Sequence, residues 1–88
     1  MKETEQKATR LVTDNRVELD YTDIEHGQVM YATGLVTGST GGKYVVTVTP
    51  DGDQCTCPFG HHHPGRTHSH TAALRLKVWI DNRNELGQ

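Results

Sequence analysis

Sixteen residues, Cys55 to His70, read CTCPFGHHHPGRTHSH and hold both cysteines and five of the six histidines of the chain. A cysteine pair one residue apart, followed by a histidine pair one residue apart, offers two thiolates and two imidazoles. Tetrahedral zinc takes such a donor set in closed structural sites. Cys55, Cys57, His68 and His70 are therefore the candidate ligands. An ion held by all four would tie the chain ahead of the loop to the chain after it. Structural zinc contributes on the order of 10 kcal/mol of apparent binding free energy, comparable with the whole stability of an ordinary domain.

The remaining composition explains why such a tie matters. The chain has 88 residues, of which Leu, Ile, Val and Phe supply only 17. That is just under the one-fifth level at which a chain begins to look disordered. The net charge of -2 is nevertheless too small for a charge-swollen, disordered polymer. A single small domain is expected, with something besides core size holding it together. Two cysteines one residue apart cannot supply a useful disulfide, because the ring would be strained and would join no distant segments. Metal is the better account. No apolar run approaches the roughly 18 residues of a membrane span, and MKETEQKATR lacks the apolar stretch of a secretory signal. With thiols free for metal, the reducing cytoplasm is the expected compartment.

Along the chain, residues 1–13 are rich in helix formers, and Ala8, Leu11 and Val12 suit one apolar helical edge. Asp14 and Asn15 punctuate. Arg16 to Tyr21 alternates, with Val17, Leu19 and Tyr21 expected on one side of a strand, and His26-Gly27 reads as a turn. Gln28 to Thr37 reads as a second strand, GSTGG over 38–42 as a turn, and KYVVTVT over 43–49 as the clearest strand, paired with the second as a hairpin. After Pro50 and Asp51-Gly52, a short extended piece from Gln54 to Cys57 delivers the cysteines. From Ser69, a plausible N-cap, the pattern turns helical, with His70, Ala73, Leu76 or Lys77, and Ile80 near one face. The expected fold is α+β: a short N-terminal helix over 1–13, then one zinc-binding domain over 14–88 whose zinc lobe lies within 43–82. Its parts are an antiparallel three-stranded sheet or hairpin, a zinc knuckle and a C-terminal helix.

His61, His62 and His63 compete for the metal, since His61-x-His63 repeats the histidine spacing soon after Cys57. Ligands anchored on a helix are better held than ligands on a loop, which favours His68 and His70. The pattern Cys55-x-Cys57, ten residues, His68-x-His70 resembles the SWIM zinc finger, whose pattern is C-x-C, a variable spacer, then C-x-H. YVVTVTPDGDQCTCPFG is similar to that family's strand, turn and cysteine knuckle, with Tyr44 ahead of the cysteines and Pro58 directly after them. His70 followed by Ala73 matches the family's way of opening its helix. The similarity covers residues 34–80, and His68 stands where the family has its third cysteine. The resemblance implies a zinc-binding module that contacts nucleic acid or acts as a protein-interaction adaptor.

Charge weighs between those roles. From Gln54 to Ile80 the charged residues are Arg66, Arg75 and Lys77, with no Asp or Glu among them. Lacking a general base near the metal, the site is not expected to be catalytic. The same three cations mark the expected nucleic-acid contact, through phosphates rather than stacked bases, because no aromatic run accompanies them. Asp14 to Glu25 is acidic instead, five carboxylates against Arg16 alone. A zinc-binding, non-catalytic accessory module on nucleic acid is the leading expectation, and a zinc-stabilised adaptor with the acidic strand or a sheet edge as its surface is the alternative.

Overall fold

The computed structural model describes residues 3–38, 41–58 and 68–83. Helix α1 (Glu3–Thr13) leads into a four-stranded antiparallel sheet, β1 (Val17–Glu25), β2 (Gln28–Thr37), β3 (Lys43–Thr49) and β4 (Gly52–Cys55), in the order β1-β2-β3-β4. Helix α2 (Ser69–Asp81) closes the described chain. The α+β architecture is the expected one. The sheet has a fourth strand because the short piece before the cysteines starts earlier than its composition suggests and pairs with β3 from Gly52 onward.

Local chemistry sets the joints. Asn15 adopts a left-handed conformation (φ 58°) after α1. Its N–H donates to the Val12 carbonyl at 3.1 Å, and the Arg16 N–H donates to the Leu11 carbonyl at 2.9 Å. These two bonds are the Schellman pattern, which satisfies the last carbonyls of a helix. His26 and Gly27 both have positive φ, 55° and 74°, as a two-residue hairpin turn between right-twisted strands requires. Between β3 and β4 the Thr49 hydroxyl donates to the Gly52 carbonyl and accepts from the Asp51 N–H, closing a turn that Pro50 opens.

Both helices lie on one face of the sheet. Ala32, Val36, Val46 and Val48 are buried beneath α2, which supplies Thr71, Ala73, Leu74 and Val78. Helix α1 adds Ala8 and packs chiefly on α2. The buried stripe of α2 runs one residue, about 100° of helix rotation, away from the stripe expected through His70 and Ile80; Ile80 is 38% exposed. Gly34 explains the choice. A methyl there would overlap the Glu18 carbonyl and stand 2.9 Å from Leu74 Cδ1, so the bare backbone makes the groove that Leu74 fills. Strand β1 differs as well. Its pairing with β2 shifts register between Leu19 and Tyr21, a bulge that sends Tyr21 to the other face, 58% exposed, rather than alongside Val17 and Leu19. No helix among the described residues is long and apolar enough to cross a membrane.

An ion pair joins α2 to the β3–β4 hairpin at the margin of the core. Asp53 on β4 is 2% exposed and receives Arg75 of α2 on both oxygens, from Nη2 to Oδ1 and from Nε to Oδ2 at 3.2 Å. Arg75 Nη2 also donates to the Thr49 carbonyl at 3.2 Å. The guanidinium thus binds helix to hairpin, whereas Lys77 makes only an i,i+4 contact with Asp81 at 3.5 Å. Removing one partner of a buried pair strands the other charge. Arg75→Ala should therefore cost about 3 kcal/mol, the low end of the usual range for a broken buried pair, since Arg75 is itself 44% exposed. Lys77→Ala should change stability by about 0.5 kcal/mol or less. Denaturant melts of the two variants would check this, and equal losses would contradict the assignment.

Candidate metal centre

The alternation of β4 decides where the first cysteine points. In the β3–β4 register Val46 faces Cys55 and Val48 faces Asp53. Since partners across a ladder share a face, Cys55 is turned inward with Val46. Thr56 then clasps the neighbouring strand: its N–H donates to the Val45 carbonyl at 3.1 Å and its hydroxyl accepts from the Val45 N–H at 3.0 Å. This clasp pivots the chain, so Cys57 returns to the same side. The Cys57 N–H approaches Cys55 Sγ at 3.5 Å, a contact suited to stabilising a thiolate. Both cysteines are buried, and no disulfide joins them.

The two histidines come from the start of α2. His68, not Ser69, occupies the N-cap with extended backbone (φ -145°). Thr71, buried at the third helical position, accepts from the His68 N–H through its hydroxyl at 2.9 Å and donates to the His68 carbonyl at 3.0 Å. His70 follows within the first turn and stacks on Tyr44 of β3, centroids 5.2 Å apart at 22°. The two imidazoles meet edge to face, also 5.2 Å apart.

These elements bring the four residues together. The ligand atoms of Cys55, Cys57, His68 and His70 all lie within 4.8 Å of one another. Cys55 Sγ is 3.6 Å from His70 Nδ1, and Cys57 Sγ is 3.1 Å from His68 Nε2. Metal–sulfur bonds of about 2.3 Å and metal–nitrogen bonds of about 2.0 Å at tetrahedral angles place sulfur and nitrogen about 3.5 Å apart. The donor set and its spacing fit one ion of that kind. Two sulfurs come from the end of the sheet and two nitrogens from the start of α2. Alternative donors His61, His62 and His63 lie outside the described residues, as does Arg66.

Helix α1 completes the surroundings in a way that its sequence does not announce. Thr4 and Lys7 line a concavity of about 430 Å³ with Tyr44, Cys57, His68 and His70. A second concavity of about 430 Å³ adjoins it, lined by Lys7, Arg10, Asp14, Arg16, Ser69 and His70. The apolar edge of Ala8, Leu11 and Val12 is the only local signal that α1 docks at all. The charged residues beside it reach the candidate ligands through that docking.

Burial, with the Cys57 thiol beside it, pushes the Cys55 thiol up to about 11. Burial and the neighbouring His68 hold His70 below the ordinary imidazole range. At neutral pH, then, Cys55 carries a proton in the metal-free chain while His70 is already a free base. Ligation must displace the thiol proton but none from His70. The sign follows: affinity for a divalent ion falls with acidification, first against Cys55 and then, at lower pH, against His70. Titrations in buffers of differing ionisation enthalpy should show at least one proton released per ion near neutrality, with affinity falling about tenfold or more per pH unit. Binding without proton release would contradict thiolate ligation by Cys55.

Set against models of known protein families, curated proteins and solved structures, the chain matches none.

Proposed function

We propose that this chain is a zinc-stapled, non-catalytic module of the SWIM type that contacts nucleic acid through its phosphates. The observation that carries the proposal is the convergence of four ligand atoms within 4.8 Å. Two sulfurs and two imidazole nitrogens suit zinc, with softer donors than magnesium or calcium would choose. Four protein donors fill a tetrahedral shell and leave no position for a reacting water, as in structural rather than catalytic centres. His68 takes the place of the SWIM pattern's third cysteine, which keeps the shell complete with one thiolate fewer.

The nucleic-acid surface differs from the one suggested by charge along the sequence. Arg75 is committed to Asp53 and Lys77 to Asp81. Both carboxylates sit just outside the window in which the cations stood alone. The cations that share one concavity are instead Lys7 and Arg10 of α1 and Arg16 after it, with Asp14 opposing them. Arg16 donates to the Gly38 carbonyl at 2.8 Å, which fixes its position at the rim. The start of α2 lies in the same groove through Ser69 and His70, adding the positive end of a helix dipole. A phosphate backbone lying there would meet three cations and a ligand-bearing helix terminus. Three phosphate contacts give weak, salt-sensitive binding, with a slope of log K on log salt of about -2 to -3.

Two measurements test the parts separately. Zinc removal by chelator, or Cys55→Ser or His70→Ala, should leave the chain largely unfolded by circular dichroism, and native mass spectrometry should find one zinc per chain. A native-like spectrum without metal would overturn the staple. For the partner, Lys7→Glu with Arg10→Glu changes two exposed side chains, so the variant should stay folded while losing retention on DNA at low salt. Wild-type protein that shows no retention on DNA or RNA there would remove the nucleic-acid reading and leave the staple intact.

A further inference from the structure

The sheet face opposite the helices has no covering element among the described residues. In the β1–β2 and β2–β3 registers Glu18 faces Leu35, Tyr21 faces Thr33, Asp23 faces Tyr31, and Leu35 faces Val45. These residues therefore share the outer surface. Tyr21, Tyr31 and Val45 are exposed, Val45 at 48%, and the two tyrosine rings lie against each other with centroids 6.0 Å apart. Beside them is a concavity of about 320 Å³, walled by Glu18 and Asp20 over a floor that includes Thr33, Leu35 and Val45. Among the described residues no cation pairs with Glu18, Asp20 or Asp23. Aromatic and branched apolar side chains gathered on an open sheet face suit a contact surface.

We propose that this outer face is the docking surface for a polypeptide segment bearing lysine or arginine among apolar residues. Charge selects the occupant. The long side chains of Lys and Arg bury an aliphatic stem and keep a charged tip. Here the stem would lie on Leu35 and Val45 and the tip would reach the Glu18 and Asp20 carboxylates. The Tyr21–Tyr31 pair offers ring faces to a second cation. A second copy of this chain matches the face less well, because it brings the same excess of carboxylates, Glu18, Asp20 and Asp23 against Lys43 alone among the described residues, to the contact. Nucleic acid is repelled by the same carboxylates. Pairing along the free edge of β1 is opposed by the bulge at Asp20 and by the charges on that strand, features that keep edges from adding strands. Docking on the face needs no edge. This inference rests on residues distinct from the groove of Lys7, Arg10 and Arg16, so either can fail without the other.

The test is a heteronuclear NMR titration of the zinc-loaded full chain with a short synthetic peptide of lysine and leucine, and with the same peptide carrying glutamate for lysine. The lysine peptide should shift amides of Glu18, Asp20, Tyr21, Tyr31 and Val45, and the glutamate peptide should not. Glu18→Lys with Asp20→Lys should weaken the lysine peptide by about tenfold, the scale of two partly solvated ion pairs. Asp51→Lys, a single charge reversal at the β3–β4 turn, should leave it unchanged where Glu18→Lys alone weakens it, and Tyr31→Ser should weaken it without reversing charge. Equal weakening by Asp51→Lys, or shifts scattered over the molecule, would reduce the effect to general charge attraction and overturn the proposal. Concentration-dependent shifts at the same residues without peptide, with a dimer in sedimentation, would overturn it in favour of self-association.

Discussion

The meeting of two sulfurs from the end of the sheet with two nitrogens from the start of α2 is the constraint around which this small chain is arranged. Among the described residues the buried apolar side chains are few and small: Ala8 and Val17, then Ala32, Val36, Val46 and Val48 of β2 and β3, with Ala73, Leu74 and Val78 of α2. Such a core alone supports little stability at this length. The cysteines belong to that same buried cluster. The candidate metal centre is thus an extension of the core into its polar corner, where thiol and imidazole groups stand in place of hydrocarbon.

The centre is braced from three directions. Thr56 locks the knuckle to β3 on both its backbone and its hydroxyl. Thr71 does the same for the start of α2, and Tyr44 supports the ring of His70. At the other end of the β3–β4 hairpin, Arg75 grips the buried Asp53 carboxylate. Helix and hairpin are therefore joined at two separated points, one by the cysteine and histidine donors and one by an ion pair. Two points fix the angle of α2 across the sheet, which a single attachment would leave free to swing.

The candidate donor set is legible from spacing alone, since paired cysteines and paired histidines need no knowledge of the fold, and the structure brings those four side chains together. Turns were readable too: His26-Gly27 and Pro50-Asp51 act through their own backbone preferences. Other features were hidden by distance. Lys7 and Arg10 lie about sixty residues from His70, which they approach, and only the docking of α1 on α2 joins them. Asp53 carries no local sign of burial beyond alternation: the pattern that turns Cys55 inward does the same to Asp53 two residues earlier. The fate of Tyr21 depends on a bulge at Asp20, and an extra residue in one strand leaves no mark in the hydrophobic pattern except where the alternation stops. The buried stripe of α2 was displaced by one residue because a glycine on another element made the groove for Leu74.

His68 stands at the N-cap and His70 one turn-fraction inside α2. Starting a helix is its unfavourable step, because several residues must be ordered before the first hydrogen bond returns anything, a statistical handicap of roughly a thousandfold. An ion gripping both imidazoles would order that opening turn outright. Metal capture and the birth of α2 would then be one event, and the supply of the ion during synthesis would set when that helix takes its place on the sheet.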